Sequence, residues 1–194
     1  SKARNSFDSA LSRLRKALET SCGQQLRQEY LVLEKGMLLL RHIKVDGLQF
    51  AQAIEKARRH LQRQNLWQAE LAFWRADQLW QGEFLAGFEL EAELPYCRDH
   101  YNQLRLEQLA GLANLLWLGG ESSEAIRLLQ AGLQIEPTND ALVQQLLDIY
   151  QQQDEKRAVH QLLISYRAAL QNEDYDPVEI EELISALGPQ RLDI

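Results

Sequence analysis

The sequence predicts a mainly α-helical repeat array, preceded by one helix and a β-hairpin. Three observations carry that reading. Apolar residues recur at helical spacing through nearly all of residues 46–194. Turn signals punctuate them at short intervals: Gly82 and Gly87, Gly119-Gly120, Pro137, Asn139-Asp140 and Asp176-Pro177. One convincing strand pair, at residues 30–40, lies near the start. The 194 residues, 45% hydrophobic and 25% charged, fit one or two ordinary globular domains. Ten Gly and four Pro exclude collagen-like and linker-rich chains. Cys22 and Cys97 are too few for a disulfide framework and read as reduced thiols of a cytoplasmic protein. No stretch approaches the roughly 20 uncharged apolar residues of a membrane span. No apolar run follows the charges of the opening Ser1-Lys2-Ala3-Arg4-Asn5, so no signal peptide is predicted.

The first helix is expected over Asn5–Glu19. Phe7, Leu11, Leu14 and Leu18 form one stripe at spacings of 4, 3 and 4, and Asn5 or Ser6 can cap the start. Thr20-Ser21-Cys22-Gly23 should break it. Tyr30–Leu33 and Met37–Leu40 then read as strands joined by Glu34-Lys35-Gly36. Helical stripes follow: Phe50, Ile54, Ala57 and Leu61, then Leu66, Ala69, Phe73, Ala76 and Trp80. Residues 82–87 should form a loop, with Phe84, Leu85 and Phe88 as packing anchors. Pro95 suits the first turn of a long helix through Tyr101, Leu104, Leu112 and Leu116 that stops at Gly119-Gly120. Ser122 should cap a helix that ends before Pro137, and Asn139 or Asp140 the next. Another helix should run from about Asp154 to Leu170, and a short one should start at Asp176-Pro177.

Helix pairs on short turns suggest a tetratricopeptide-like array. Ala113, Leu116, Gly120, Ala125, Leu129 and Pro137 fall where that repeat wants small, apolar and helix-ending residues. In the next repeat Val143, Leu146 and Tyr150 fit. With Ala158 in the role of Ala125, however, its turn is one residue shorter, and the terminal Pro is missing.

The net charge of −7 argues at first against nucleic acid, but it is unevenly spread. Residues 1–45 hold nine Lys/Arg and four acids, a net of +5, and residues 46–194 hold twelve and twenty-four, a net of −12. Such asymmetry suggests a basic contact surface on an acidic body.

The order of basic helix, hairpin and helical repeats brings a family into view. Leu11-Ser12-Arg13-Leu14-Arg15-Lys16-Ala17-Leu18 resembles the recognition helix of response-regulator-type winged helices, and residues 30–40 resemble their wing. Val45-Asp46 with Phe50, then Trp80-Gln81-Gly82-Glu83-Phe84-Leu85-Ala86-Gly87-Phe88, Arg98, the repeats from Leu109 and Tyr175-Asp176-Pro177-Val178-Glu179-Ile180 resemble a bacterial transcriptional activator domain. The whole is similar to the SARP family of bacterial transcription regulators. The resemblance implies a partial winged-helix DNA-binding domain at 1–45 and a helical activator domain at 46–194. Two departures stand out. The family's winged helix has further helices and a small sheet before its recognition helix, which implies a fragment or a boundary inside that domain. Met37 stands where the wing usually carries an aromatic residue.

On this resemblance, double-stranded DNA is the expected partner of the complete winged helix. Arg13 and Arg15 match the motif's basic positions and suit phosphate or bidentate guanine contacts, Asn5, Ser9 and Ser12 suit base or phosphate contacts, and Lys16 and Lys35 suit the DNA backbone. The ordinary alternative is a solvated basic helix face, with Arg15 holding a carboxylate inside its own domain. The body is expected to contact the transcription machinery, attached regulatory domains or a second copy in a homodimer, and no membrane. Without the covering helices, the stripe Phe7, Leu11 and Leu14 would seek a partner.

Trp67 and Trp74, seven apart on a second helix face, are candidate protein-interaction anchors, whereas Trp80 continues a core stripe. Arg58, Arg59, His60 and Arg63 read as a helix end complementing the dipole, and the acids at 173–182 mostly as helix-start residues. No enzyme is expected: no Walker loop, dinucleotide turn or nucleophile elbow is present. The four histidines are scattered, and Cys97 with His100 is at most half a zinc site, so neither metal nor cofactor is expected. The alternative function is a tetratricopeptide-like protein-interaction scaffold that binds no DNA.

Overall fold

The computed structural model describes residues 2–22, 31–35, 37–41, 44–87 and 94–187. It divides into two compact units, 1–45 and 46–194. The first holds helix α1 (Lys2–Cys22) and the antiparallel strands β1 (Leu31–Glu34) and β2 (Met37–Leu40). The helix is longer than its stripe predicts. Asn5 and Ser6 lie inside it and not at its start, and Thr20, Ser21 and Cys22 continue it, with the Thr20 hydroxyl donating to the Lys16 carbonyl at 3.0 Å. In the hairpin Glu34 pairs with Met37, so the connection is the two residues Lys35-Gly36, not three. Lys35 takes a left-handed φ of 50°, which suits a two-residue turn because its twist matches the strands. Tyr30, Gly36 and Phe88, three residues with expected roles, lie outside the described residues.

The second unit is helical: α2 (Asp46–Gln62), α3 (Leu66–Leu79), α4 (Leu94–Leu118), α5 (Ser122–Ile135), α6 (Asp140–Gln152), α7 (Lys156–Asn172) and α8 (Pro177–Ala186). Each packs chiefly on its neighbours in sequence, with α2 and α6 also touching α4, as stacked helix pairs do. The pairs α2/α3, α4/α5 and α6/α7 close with the same turn. Gln64, Gly120 and Asp154 are left-handed, at φ 57°, 87° and 56°. The next residue's N–H then bonds back across the turn: Asn65 to His60 O, Glu121 to Leu116 O and Glu155 to Tyr150 O, at 2.9, 2.8 and 2.9 Å. This turn settles several starts. Glu121, not Ser122, precedes α5, with no side-chain cap, and α7 begins at Lys156 because Asp154 is spent on the turn. Elsewhere Asn139 caps α6 by accepting from Leu142 N–H, and Asp176 with Glu179 forms a capping box on α8.

The turns also fix the repeat register. Gly120 and Asp154 are 34 positions apart, the tetratricopeptide period. Val159, buried, therefore plays the role of Ala125, while Ala158 is only half-buried; the turn is not one residue short. The same register reveals a first repeat that the sequence patterns did not. Ala57, Ala69, Phe73 and Ala76, all buried, stand where Ala113, Ala125, Leu129 and Gly132 stand in the second. Gln64 and Gly120 are 56 positions apart, so 22 residues are inserted between the first and second repeats.

Stacking depends on two close approaches. A Cβ on Gly111 of α4 would lie 2.6 Å from Cζ of Phe73 on α3, and one on Gly132 of α5 would lie 2.5 Å from Cδ1 of Leu142 on α6. Phe73 and Leu142 are themselves buried, so neither can retreat into solvent. Gly111→Ala should therefore destabilise the domain by about 1 kcal/mol: overpacking costs about 2 kcal/mol at the middle of its usual range and the helix-propensity gain returns about 1. Urea unfolding checks this, and adding Phe73→Leu should recover part of the loss. An unchanged or raised stability in Gly111→Ala would contradict it.

Candidate functional site

Helix α1 presents two faces. Leu11 is buried, at 7% exposure, while Phe7 and Leu14 on the same stripe are each 44% exposed. Opposite lie Asn5, Ser9, Ser12, Arg13 and Lys16, whose spacing of 4, 3, 1 and 3 puts them on one side of the helix. Ser9, Ser12, Arg13 and Lys16 are exposed there; the side chain of Asn5 lies outside the described residues. The Arg13 Nε donates to the Ser9 carbonyl at 3.4 Å, which lays the guanidinium along the helix. Arg15 is not brought to this face. It flanks the apolar stripe and is half-buried. Lys35 is exposed at the hairpin turn, and beside it Arg41 pairs with Glu34 at 2.6 Å. Met37 is exposed at the same end.

In the helical unit residues 80–87 and the first turns of α4, the described part of the insertion, form an apron beside the start of α2. Helix α4 begins twelve positions earlier than the 34-residue register of α6 requires, and its extra turns carry the contacts. The Tyr101 ring lies against Gly47, where a Cβ would come within 2.9 Å. Phe84 stacks on Tyr101 with ring centroids 4.8 Å apart, and Arg98 donates to the carbonyls of Phe84 and Leu85 at 3.1 and 3.0 Å. Leu85 itself is 42% exposed and anchors nothing through its side chain, because its backbone carbonyl is the group that is held. Leu104 joins Phe50, Ala53, Ile54 and Ala76 in one apolar cluster. Arg105 bonds Asp77 at 2.8 Å and Gln108 at 2.6 Å and lies over the Trp80 ring. Gln108, fully buried, reaches the Phe73 carbonyl at 3.4 Å. Among the described residues three shallow grooves carry charges: about 270 Å³ within the apron (Asp46, Glu83), about 340 Å³ over α2, α4 and α6 (Arg58, Glu107) and about 350 Å³ between α2 and α3 (Lys56, Arg75).

Trp67 and Trp74 share a face of α3 but not an environment. Trp67 is 59% exposed. Trp74 is half-buried against the main core and donates its indole N–H to Glu70 at 3.3 Å. Trp80 packs tilted on Phe50, ring centroids 5.1 Å apart, and Trp117 donates to Gln152. Arg58 is held by both carboxylate oxygens of Glu107, and Arg59 pairs with Glu55 at 3.0 Å. The Arg59 hydrogen bond first, and more weakly Arg58 at 3.5 Å, hold Glu55 below the usual carboxylate range. Burial and a hydrogen bond to Asp140 push the Tyr166 hydroxyl well up. Cys97 and His100 are both exposed, and among the described residues no three His, Cys, Asp or Glu side chains come together as a metal would require. Among the described residues no helix is long and apolar enough to cross a membrane.

Stacked helix pairs in tetratricopeptide register, with an insertion between the first and second, define a helical repeat domain. The sequence matches the bacterial transcriptional activator domain family over residues 45–186, most of the chain, and the chain belongs to that family. No curated protein matches it. Its helical body is thus a transcription-regulatory domain. The first repeat and the apron's Arg105–Asp77–Gln108 network escaped the sequence reading; the alanines at 57, 69 and 76, at fixed distances from Ala113, Ala125 and Gly132, were the signal available.

The two tryptophans should separate on truncation. Trp74→Ala, which empties packed space, should cost roughly 3 kcal/mol in urea unfolding, and Trp67→Ala less than about 0.5 kcal/mol. Equal losses would overturn the placement.

Proposed function

We propose that this chain is the DNA-reading and activator portion of a cytoplasmic bacterial transcription regulator of the SARP type. The observation that carries the reading is the single exposed polar face of α1, with Ser9, Ser12, Arg13 and Lys16 together on a unit of net charge +5. An α-helix of this width fits the major groove. Arg13 then supplies a bidentate guanine or phosphate contact, Asn5, Ser9 and Ser12 supply hydrogen bonds to base edges or phosphates, and Lys16 and Lys35 supply phosphate contacts. Arg15, half-buried beside the apolar stripe, fits a role in holding the helix as well as one on DNA. The hairpin acts as the wing of a partial winged helix at 1–45, and residues 46–194 form the activator domain. That domain, acidic and made of stacked repeats, suits docking to the transcription machinery, to attached regulatory domains or to a second copy. Trp67 is the stronger interaction anchor, since its ring is already in solvent.

A second reading, a protein-interaction scaffold without DNA binding, draws on the groove over α2, α4 and α6, the first helices of the three pairs. Salt separates the two. For the full-length protein, DNA affinity should fall steeply and log-linearly with salt. Lys35→Ala should reduce the slope by about one unit, and Arg13→Ala should cost about 1–3 kcal/mol of binding. A flat salt response, unchanged by Arg13→Ala, would favour the scaffold.

A further inference from the structure

The grooves named above all carry charged residues; a fourth does not. It lies between α5 and α7 over α6, holds about 590 Å³ and is lined by neutral residues throughout. Leu133, Val143, Leu146 and Leu162 make its apolar part, and Gln130, Gln161, Ser165 and Tyr150 bring amide and hydroxyl groups. The volume lies in the range of small-molecule sites, which are mostly apolar with a few polar groups that orient the ligand. In a chain that is 25% charged, a solvent-facing groove without charge is a selective feature.

The repeat register shows why this groove is open and what would fill it. At the preceding junction the same slot lies between α3 and α5 over α4. There Trp74 occupies the place that Gln130 holds here, 56 positions on, and its ring is half-buried against the core. Glu124 and Arg127 stand where Ala158 and Gln161 stand, 34 positions later, and they pair at 2.9 and 2.6 Å. Arg127 also interacts electrostatically with Asp77 of α3, so this charged pair lies across that junction. One junction thus carries its own aromatic ring and ion pair. At the other, both have been replaced by short or neutral side chains. Gln130 is turned instead to the Tyr150 hydroxyl, to which it donates at 3.1 Å.

We infer that the groove between α5 and α7 is a binding site for an uncharged aromatic small molecule, whose ring takes the place that Trp74 takes at the preceding junction. The glutamine amides and the Ser165 hydroxyl would meet its hydrogen-bonding groups. A ligand seated there would bridge α5 and α7, helices of two consecutive repeats.

The test uses a neutral aromatic probe, N-phenyl-1-naphthylamine, followed by its fluorescence, with the sulfonated 1-anilinonaphthalene-8-sulfonate as its charged analogue. The full chain should bind the neutral probe at one site and the charged one about tenfold more weakly. Gln130→Trp, which restores the ring of the other junction, should weaken the neutral probe's binding about tenfold or more, and Ala158→Leu should do the same. Both positions are solvent-facing or half-buried, and circular dichroism establishes that the variants fold. Absence of neutral-probe binding, equal binding of the two probes, or wild-type binding by either folded variant would overturn the proposal.

Discussion

The helical body stands on close approach at glycine. Phe73 of α3 enters α4 at Gly111, and Leu142 of α6 enters α5 at Gly132, each at a distance that leaves no room for a Cβ. These are contacts between consecutive repeats, and a repeat cannot bury its apolar face alone. The helix axes come close only because those two positions carry no side chain. The buried leucines and alanines of the main cluster, Leu109, Leu112, Ala113, Ala125 and Leu128, then fill the space that remains. Helical propensity opposes glycine at both places by about 1 kcal/mol, so packing decides them.

The second constraint is polar. Between the first and second repeats the period is broken by 22 residues, and the lengthened α4 takes up the strain of that break. Arg105, only slightly exposed, is held by Asp77 and Gln108 and covers Trp80, while Arg98 pins the loop through backbone carbonyls. Bonds to carbonyls make the loop's path independent of most of its side chains. Exposed Leu85 is one result. The apron thereby fixes the start of α2 at Gly47, the first turn of the activator domain.

Much of this was legible in the sequence. Helical stripes, the hairpin, the capping Asn139 and the Asp176-Pro177 start all rest on local spacing and cap chemistry, which act over a few residues. What was not legible depends on longer registers. Small-residue spacing pairs Ala158 with Ala125 and makes the turn one residue short, whereas the left-handed turns at Gly120 and Asp154 make Val159 the equivalent residue. A valine there carries no small-residue signal. The first repeat was hidden by the insertion that displaces it. In α1 the apolar stripe was visible, but the position of Arg15 beside that stripe, apart from Ser9, Ser12, Arg13 and Lys16, follows from angular position and burial, which a motif match does not report.

The proposed function draws on the division of charge as well as on the fold. The activator domain is acidic and the unit before it is basic, with its polar side chains on one helix face. The central claim is that this face, and no surface of the helical body, meets DNA. Site-specific photocrosslinking tests it most directly: a benzoylphenylalanine placed at Ser12, at Lys35 or at Trp67 of the full-length protein, irradiated on duplex DNA. The account predicts DNA adducts from positions 12 and 35 and none from 67. Adducts from 67 with none from 12 would contradict it.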